Sequence, residues 1–195
     1  MEPVRRIVGR ALPLARADVD TDQIIPAHWL KRVERTGYGA GLFEAWRSDP
    51  SFIFNDPRYH GATIVLAGPN FGSGSSREHA VWALREAGFR AVIAPRVADI
   101  FRSNALRNAF VPVELEQGIV DRLLDAVRAD AATEIVIDVE RRTVRAPGLD
   151  APFALDDFSR TRLLEGLDDI GLTLRHEAQI AAYEARRPEW LPRVR

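Results

Sequence analysis

The chain of 195 residues is 46% hydrophobic and 28% charged, with 27 basic against 28 acidic side chains and a formal charge of -1; this is the balance of a soluble globular domain with one sizeable core, without the cationic field that drives nucleic-acid or membrane-surface binding. No run approaches the roughly 18 apolar residues that cross a bilayer, and the opening segment lacks an apolar stretch of secretory length, so a cytoplasmic location is expected. Cysteine is absent, which removes disulfides, thiolate nucleophiles and cysteine-held zinc or iron–sulfur clusters, and His28, His60, His79 and His176 lie far apart in no ligand spacing, so the chain is expected to hold no metal of its own.

Residues 4–14 mix apolar and basic positions as a half-buried strand does. The acidic turn that follows, and the Ile24-Ile25-Pro26 after it, predict a loop and a second short strand. Between Lys31 and Gly61 no period lasts; Gly37, Gly39, Gly41, Pro50 and Pro57 alternate with Tyr38, Phe43, Trp46, Phe52 and Phe54. So long an irregular stretch is either a lid or binding loop, or a surface excursion whose aromatics cover the core.

The centre alternates more clearly. Residues 63–68 read as a buried strand, 75–88 as a helix with Ala80, Ala83, Leu84 and Ala87 on one face, and 91–95 as a strand. A second helix over 98–109, with Phe101, Ala105 and Ala109 at four-residue spacing, leads to a strand at 111–115. This β-α-β-α-β run predicts an α/β fold with parallel strands and right-handed crossovers, in which ligands collect where strands hand over to helices. Residues 118–130 place Ile119, Leu123, Leu124 and Val127 on one helical face, and 133–147 read as two strands joined near Glu140 and Arg141. From Phe158 onward two short helices separated by a glycine turn are expected, the last stopped by Pro188. No repeat or linker divides the chain, so a single domain over 1–195, with 31–61 as its long loop, is expected.

The stretch GPNFGSGSSREHA, residues 68–80, lies at one of those handovers. It is not a P-loop, a G-x-G-x-x-G turn or a G-x-S-x-G elbow. Ser75-x-x-Glu78 matches a capping box, in which the serine oxygen takes a helix-start N–H and the glutamate reaches back. Against pure capping stands Arg77, a cation in a first turn that the helix dipole makes unfavourable for cations. Gly72 and Gly74 allow close backbone approach, and a guanidinium grips a carboxylate with two parallel hydrogen bonds, so a carboxylate ligand suits the motif.

Four separated stretches, NFGSGSSREHAVWAL, DVDTDQIIPAHWLKRV, GFRAVIAPRVADIFRSNALRN and LLEGLDDIGLTL, resemble the small subunits of 3-isopropylmalate dehydratase (isopropylmalate isomerase), of the aconitase superfamily, over about Val19 to Trp190. The resemblance implies the aconitase-type swivelling β/β/α domain, with the parallel β-α-β-α-β core and β-rich flanks. It also implies isomerisation of 2-isopropylmalate to 3-isopropylmalate through isopropylmaleate in leucine biosynthesis, with a small dicarboxylate as substrate. The partner it implies is a large subunit that holds a [4Fe-4S] cluster, so a cysteine-free chain without a cofactor fits the division, and the lone chain is expected to be inactive. Whether the lone chain self-associates is left open. By position the resemblance makes Ser75 the catalytic base, with Ser76 and Arg77 as substrate-carboxylate ligands.

Further residues follow from the same resemblance. The loop from Arg35 to Phe43 falls where the family places substrate-specificity residues; Thr36 and Gly37 lie in it, its glycines permit movement, and Tyr38, Leu42 and Phe43 are expected to offer apolar contact to an isopropyl group. Apolar residues around the 31–61 loop are expected to be exposed in the lone chain and covered by the partner. Asp20, Thr21 and Asp22 either line the cleft or cap backbone, with capping the commoner role of such turns. Gly72, Gly74, Glu78 and Asn104 are supporting candidates, and His79 is expected to pack as an ordinary helix residue. A helix terminus supplies at most about 2 kcal/mol, far too little to make an alcohol a base at neutral pH, so Ser75 is expected to be unactivated in the lone chain. Related hydro-lyases acting on homoaconitate, citraconate or dimethylmalate remain alternatives, as does a cluster-free carboxylate-binding regulatory module; a serine hydrolase is the weakest reading, since the sequence places no acid–histidine pair.

Overall fold

The computed structural model describes residues 1–34, 36–188 and 190. Seven strands, β1 (Arg6–Pro13), β2 (Ile64–Leu66), β3 (Ala91–Ala94), β4 (Val111–Glu114), β5 (Glu134–Asp138), β6 (Thr143–Ala146) and β7 (Leu149–Pro152), form one sheet in the order β4-β3-β2-β1-β5-β6-β7. β4 to β1 are parallel neighbours, whereas β1 to β7 are antiparallel. β1 divides its length between the two halves: Ala11, Leu12 and Pro13 pair with β2, and Arg6 to Arg10 pair with β5. β2 and β3 are buried at every position, as strands of a parallel sheet covered on both faces must be.

The helices are α1 (Thr21–Ile24), α2 (Glu44–Arg47), α3 (Glu78–Glu86), α4 (Asp99–Arg107), α5 (Gln117–Ala129), α6 (Asp157–Glu165), α7 (Asp169–Leu174) and α8 (Glu177–Ala185). α3 connects β2 to β3 and α4 connects β3 to β4, giving the expected β-α-β-α-β core. α3 buries Ala80, Val81, Ala83 and Leu84, and α4 buries Phe101 and Ala105 on the spacing that the sequence sets. α5 then crosses back along β3, β2 and β1, burying Val120, Leu123, Leu124 and Val127, and delivers the chain to β5.

Four expectations are corrected or extended. The second short strand is instead α1, because Asp20 accepts the Gln23 N–H at 2.7 Å while the Gln23 side chain accepts the Asp20 N–H at 3.0 Å, a capping box that winds the turn into a helix. The antiparallel flank has a third strand, β7, which the tight turn at Gly148 returns onto β6. The C-terminal region has three helices: Gly166, in the left-handed region at φ 67°, ends α6, and α7 and α8 follow without burying a residue.

The fourth concerns the apolar residues of 31–61, expected to be exposed in the lone chain: they are packed as core cover, the second of the two readings open for this stretch. Tyr38, Leu42, Phe43, Phe52 and Tyr59 are buried, and only Val33 among the large apolar residues there is markedly exposed. Phe43 lies at the centre, within 5.6–5.8 Å of the Trp46, Phe52 and Phe54 rings, and Phe54 reaches Phe89 at 6.3 Å. The Arg16 guanidinium caps this group 4.3 Å from the Trp46 ring centroid. The exposed apolar side chains lie elsewhere, chiefly Phe158, Ile170, Leu174, Tyr183 and Trp190 of the C-terminal region.

If this segment is core, Phe43→Ala should cost about 3–5 kcal/mol and lower Tm by roughly 10 °C, read by thermal denaturation of the isolated chain. A Tm within about 2 °C of the parent's would mean that the ring covers nothing.

Candidate functional site

Beyond the carboxyl ends of β1 and β2, the two following loops run side by side. The Ala15 N–H donates to the Leu66 carbonyl at 3.1 Å, Gly68 N–H to Arg16 at 2.9 Å, and Asp18 N–H to Pro69 at 2.9 Å. Further out, Gly72 and Ser73 N–H groups both donate to the Val19 carbonyl, at 2.7 and 3.3 Å, and Thr21 N–H donates back to Ser73 at 2.9 Å. The Asn70 side-chain amide donates to Asp18 at 2.8 Å. The loop with the Gly-Ser run is therefore laced to the start of α1 before α3 begins.

Gly72 and Gly74 have separate reasons for being glycine. Gly72, at φ 78°, lies on the Phe101 ring, where an added Cβ would come within 2.3 Å of a ring carbon. Gly74, at φ 88°, has room around it, its nearest neighbours from a Cβ being Asp20 and Thr21 atoms at 3.6 Å, so only its backbone conformation requires glycine.

α3 starts later than the capping box predicts. Its N-cap is Arg77, in an extended conformation (φ -124°, ψ 98°) and with no side-chain cap, so Ser75 and Ser76 stand outside the helix. Both serines are exposed. The capping box is not formed, because Glu78 turns aside to accept the Asn108 side-chain amide at 2.6 Å. Instead of capping, Ser75 offers its carbonyl to the buried Thr21 hydroxyl at 3.2 Å, which leaves the Ser75 side chain free of that tether. Arg77 is ion-paired with Asp22 of α1. Its side chain is only 15% exposed against 54% for Asp22, so the cation is held in the wall and its counter-ion stands on the solvent side.

The predicted residues thus divide. Asp20, Thr21 and Asp22 come together with Gly72, Gly74, Ser75 and Arg77, and each has a visible job: Asp20 caps α1, Thr21 ties the loop, and Asp22 pairs with Arg77. Asn104 is buried on α4, and its backbone carbonyl accepts from the Asn108 side chain at 2.8 Å. Thr36 and Gly37 are exposed, whereas Tyr38, Leu42 and Phe43 are packed inside: the apolar contact expected of these three is not on offer in this conformation, because their side chains complete the core. Arg35 lies outside the described residues. Sequence reasoning missed Asn108, which no local pattern connects with a residue 30 positions earlier.

His79 packs as expected, its ring 4.6 Å from Trp82 and 5.2 Å edge-on to Tyr38. Burial pushes its pKa below the ordinary value, with the Arg77 charge adding slightly to that and Glu78 opposing it.

Comparison with known proteins agrees with this architecture. Residues 1–118 match the family model of the aconitase C-terminal domain, and residues 169–194 match that of the C-terminal domain of 3-isopropylmalate dehydratase small subunits. The chain is 63% identical to the 3-isopropylmalate dehydratase small subunit of Parafrankia sp. (strain EAN1pec), over 98% of each chain. It is 56% identical to that of Rubrobacter xylanophilus, over the whole of both. A crystal structure of 3-isopropylmalate dehydratase (leuD) from Methanocaldococcus jannaschii superposes with a TM-score of 0.66 at 26% identity, covering 91% of this chain and 99% of that one.

Two outcomes follow from the site's construction. Gly72→Ala should destabilise the isolated chain by about 2–4 kcal/mol, combining a left-handed backbone with overpacking against Phe101; an unchanged Tm would show that the loop can lift off that ring. For His79 the unfolded chain takes up a proton near the ordinary pKa of 6.5 while the folded chain resists until lower pH, so folding stability should fall as pH drops below that value. Urea melts between pH 7 and 5 should show a shallower loss for His79→Phe than for the parent, and parallel slopes would remove His79 as a source.

Proposed function

The chain belongs to the small subunits of 3-isopropylmalate dehydratase, a hydro-lyase of leucine biosynthesis in the aconitase superfamily, and from that membership we propose that its Gly72–Arg77 loop supplies the proton-transfer serine and the carboxylate-binding groups to a large-subunit partner. The observation that carries the proposal is the unformed capping box. A Ser-x-x-Glu sequence that could close on itself is held open, with Ser75 and Ser76 exposed outside the helix and Arg77 extended and paired with Asp22.

In this reading the diacid 2-isopropylmalate places one carboxylate on Arg77, displacing Asp22, with Ser76 as a second donor. Ser75, deprotonated in the closed complex, takes the proton from the carbon next to a carboxylate, that electron pair forms the double bond of isopropylmaleate, and the hydroxyl leaves as hydroxide that becomes water with a proton from a general acid of the partner. Rehydration in the opposite sense places the hydroxyl on the neighbouring carbon. With no cysteine in the chain, a [4Fe-4S] cluster would be held by the large subunit, where it would supply Lewis-acid assistance to the leaving hydroxyl. Among the described residues no side chain bonds the Ser75 hydroxyl to prepare it as a base, and the hydrogen bond that Thr21 makes to Ser75 uses the backbone carbonyl. The shift must come from Arg77 and from exclusion of water when the partner closes over the loop. Thr36 and Gly37 are exposed, Gly37 beside the Arg32 guanidinium, and are left as the specificity contacts of the 36–43 segment.

The test is dehydration of 2-isopropylmalate, followed as unsaturated-diacid absorbance, by this chain mixed with a cluster-loaded large subunit. Activity should appear only in the mixture, and Ser75→Ala should lower kcat about 10²–10⁴-fold while gel filtration shows association intact. Full activity in Ser75→Ala would return the serine to a structural role, and turnover of homoaconitate or citraconate in place of isopropylmalate would reassign the substrate.

A further inference from the structure

The same sequence, Ser75-Ser76-Arg77-Glu78, has two conformations open to it. In one, α3 extends backward to Ser75, whose hydroxyl caps the helix while the Glu78 carboxylate reaches back to the Ser75 N–H. In the other, seen here, the helix begins at Glu78 and the three preceding residues stay outside it. What distinguishes them is the partner of Glu78. Asn108, just past the last residue of α4, donates one amide hydrogen to the Glu78 carboxylate at 2.6 Å and another to the Asn104 carbonyl at 2.8 Å, and its oxygen accepts the Trp82 indole N–H at 3.0 Å. Both its ends are engaged, so it cannot rotate without breaking all three bonds. The bond to Asn108 and the backbone cap that Glu78 forgoes are both charge-assisted, so what favours the observed partner is that its donor is already fixed by two further bonds, to Trp82 and to Asn104.

We propose that Asn108 is a positioning residue for the substrate-binding loop: by holding the Glu78 carboxylate against α4 it prevents α3 from winding back over Ser75, and so keeps Ser75, Ser76 and Arg77 available to the substrate carboxylate. The proposal rests on the reading that these three residues meet the substrate. It has a kinetic signature. If release of Glu78 lets the wound form accumulate, substrate must first select the open form, and the apparent affinity falls by the open fraction. Saturating substrate restores the open form, so kcat is spared.

The experiment uses the reconstituted two-subunit enzyme. Asn108→Asp keeps the oxygen that accepts from Trp82 but replaces the donor facing Glu78 with a negative charge. KM should rise about tenfold, the scale of a helix cap, with kcat held within about threefold. Pairing Asn108→Asp with Glu78→Gln rebuilds the bond between the two side chains with its polarity reversed, though not the donor to the Asn104 carbonyl, and should reverse most of the rise in KM. Asn108→Ala, which releases Glu78 without adding charge, serves where Asn108→Asp fails to fold and should raise KM likewise. An unchanged KM in the single exchanges overturns the proposal. So does a joint loss of kcat and KM that the double exchange fails to rescue, or failure of both single exchanges to fold, since either makes Asn108 a stability residue only. A parent enzyme indifferent to Ser75→Ala would instead sink the reading on which this rests, whereas one sensitive to Ser75→Ala and indifferent to Asn108→Asp sinks this inference alone.

Discussion

The site depends on the crossing of two loops over the carboxyl ends of β1 and β2. Val19 offers one carbonyl to two N–H groups, Gly72 and Ser73, and Ser73 answers through its own carbonyl to Thr21. That exchange is a fragment of parallel sheet continued past the strands, as the isolated pairing of Asp20 with Ser73 records. It is possible only because Gly72 turns with positive φ on the face of Phe101. A side chain there would push the loop away from both α1 and α4, and Asp22 would no longer stand opposite Arg77. Phe101 in turn is fixed edge-on between Phe71, at 5.3 Å, and Phe110, at 6.2 Å. The placement of a surface loop is thus set by three buried rings.

Much of this was legible in the sequence, for physical reasons that can be named. Continuous apolar runs such as Ile64-Val65-Leu66 and Ala91-Val92-Ile93-Ala94 read as strands because every position of a central parallel strand is buried. The helices α3, α4 and α5 read from their own periodicity, to within a few residues. The resemblance to a family added what periodicity cannot, namely the roles proposed for Ser75, Ser76 and Arg77. Where pattern reading failed, a longer-range partner or a different local cap decided. Residues 31–61 have no period because their aromatics pack as a cluster of single turns, each set by a different neighbour: Tyr38 by His79 and Trp82, Gly39 by the Glu86 carboxylate, Gly41 by the Trp29 ring. The capping box at Ser75 was a sound local inference, and it was overridden by Asn108, whose proximity to Glu78 is a fact of α3–α4 packing and not of sequence spacing.

The C-terminal region obeys a different logic from the body. The aconitase C-terminal model ends at residue 118, whereas the small-subunit model begins at 169. The junction between these parts is well made: Gly166 in the left-handed region receives the terminal ammonium of Met1 on its carbonyl at 2.9 Å, and Arg162 donates to Leu167 at 3.3 Å while pairing with Asp169 at 2.9 Å. Beyond it, α7 and α8 bury nothing. Their Asp168 cap and internal hydrogen bonds explain why they are helical, but helices this short are marginal in water without packing. Their persistence therefore owes little to the sheet, and the region contributes little to the stability of the core that positions the loop.

The pairing of Asp22 with Arg77 bears on how a dicarboxylate could enter. An ion pair with one partner more than half exposed contributes about 0–1 kcal/mol, since water competes for the exposed carboxylate. The exchange of Asp22 for a substrate carboxylate proposed above would then cost little, yet the pair still holds the guanidinium in the loop wall. A bare Arg77 would have lost that orientation to solvent and to side-chain entropy. A buried pair would have resisted the exchange, since removing one partner strands the other charge in a poorly solvated place. The intermediate exposure of this pair, an inner cation with an outer anion, is the arrangement that keeps the cation aimed while leaving its counter-ion replaceable, and it arises because α1, capped by Asp20, sets Asp22 on the solvent side of the crossing loops.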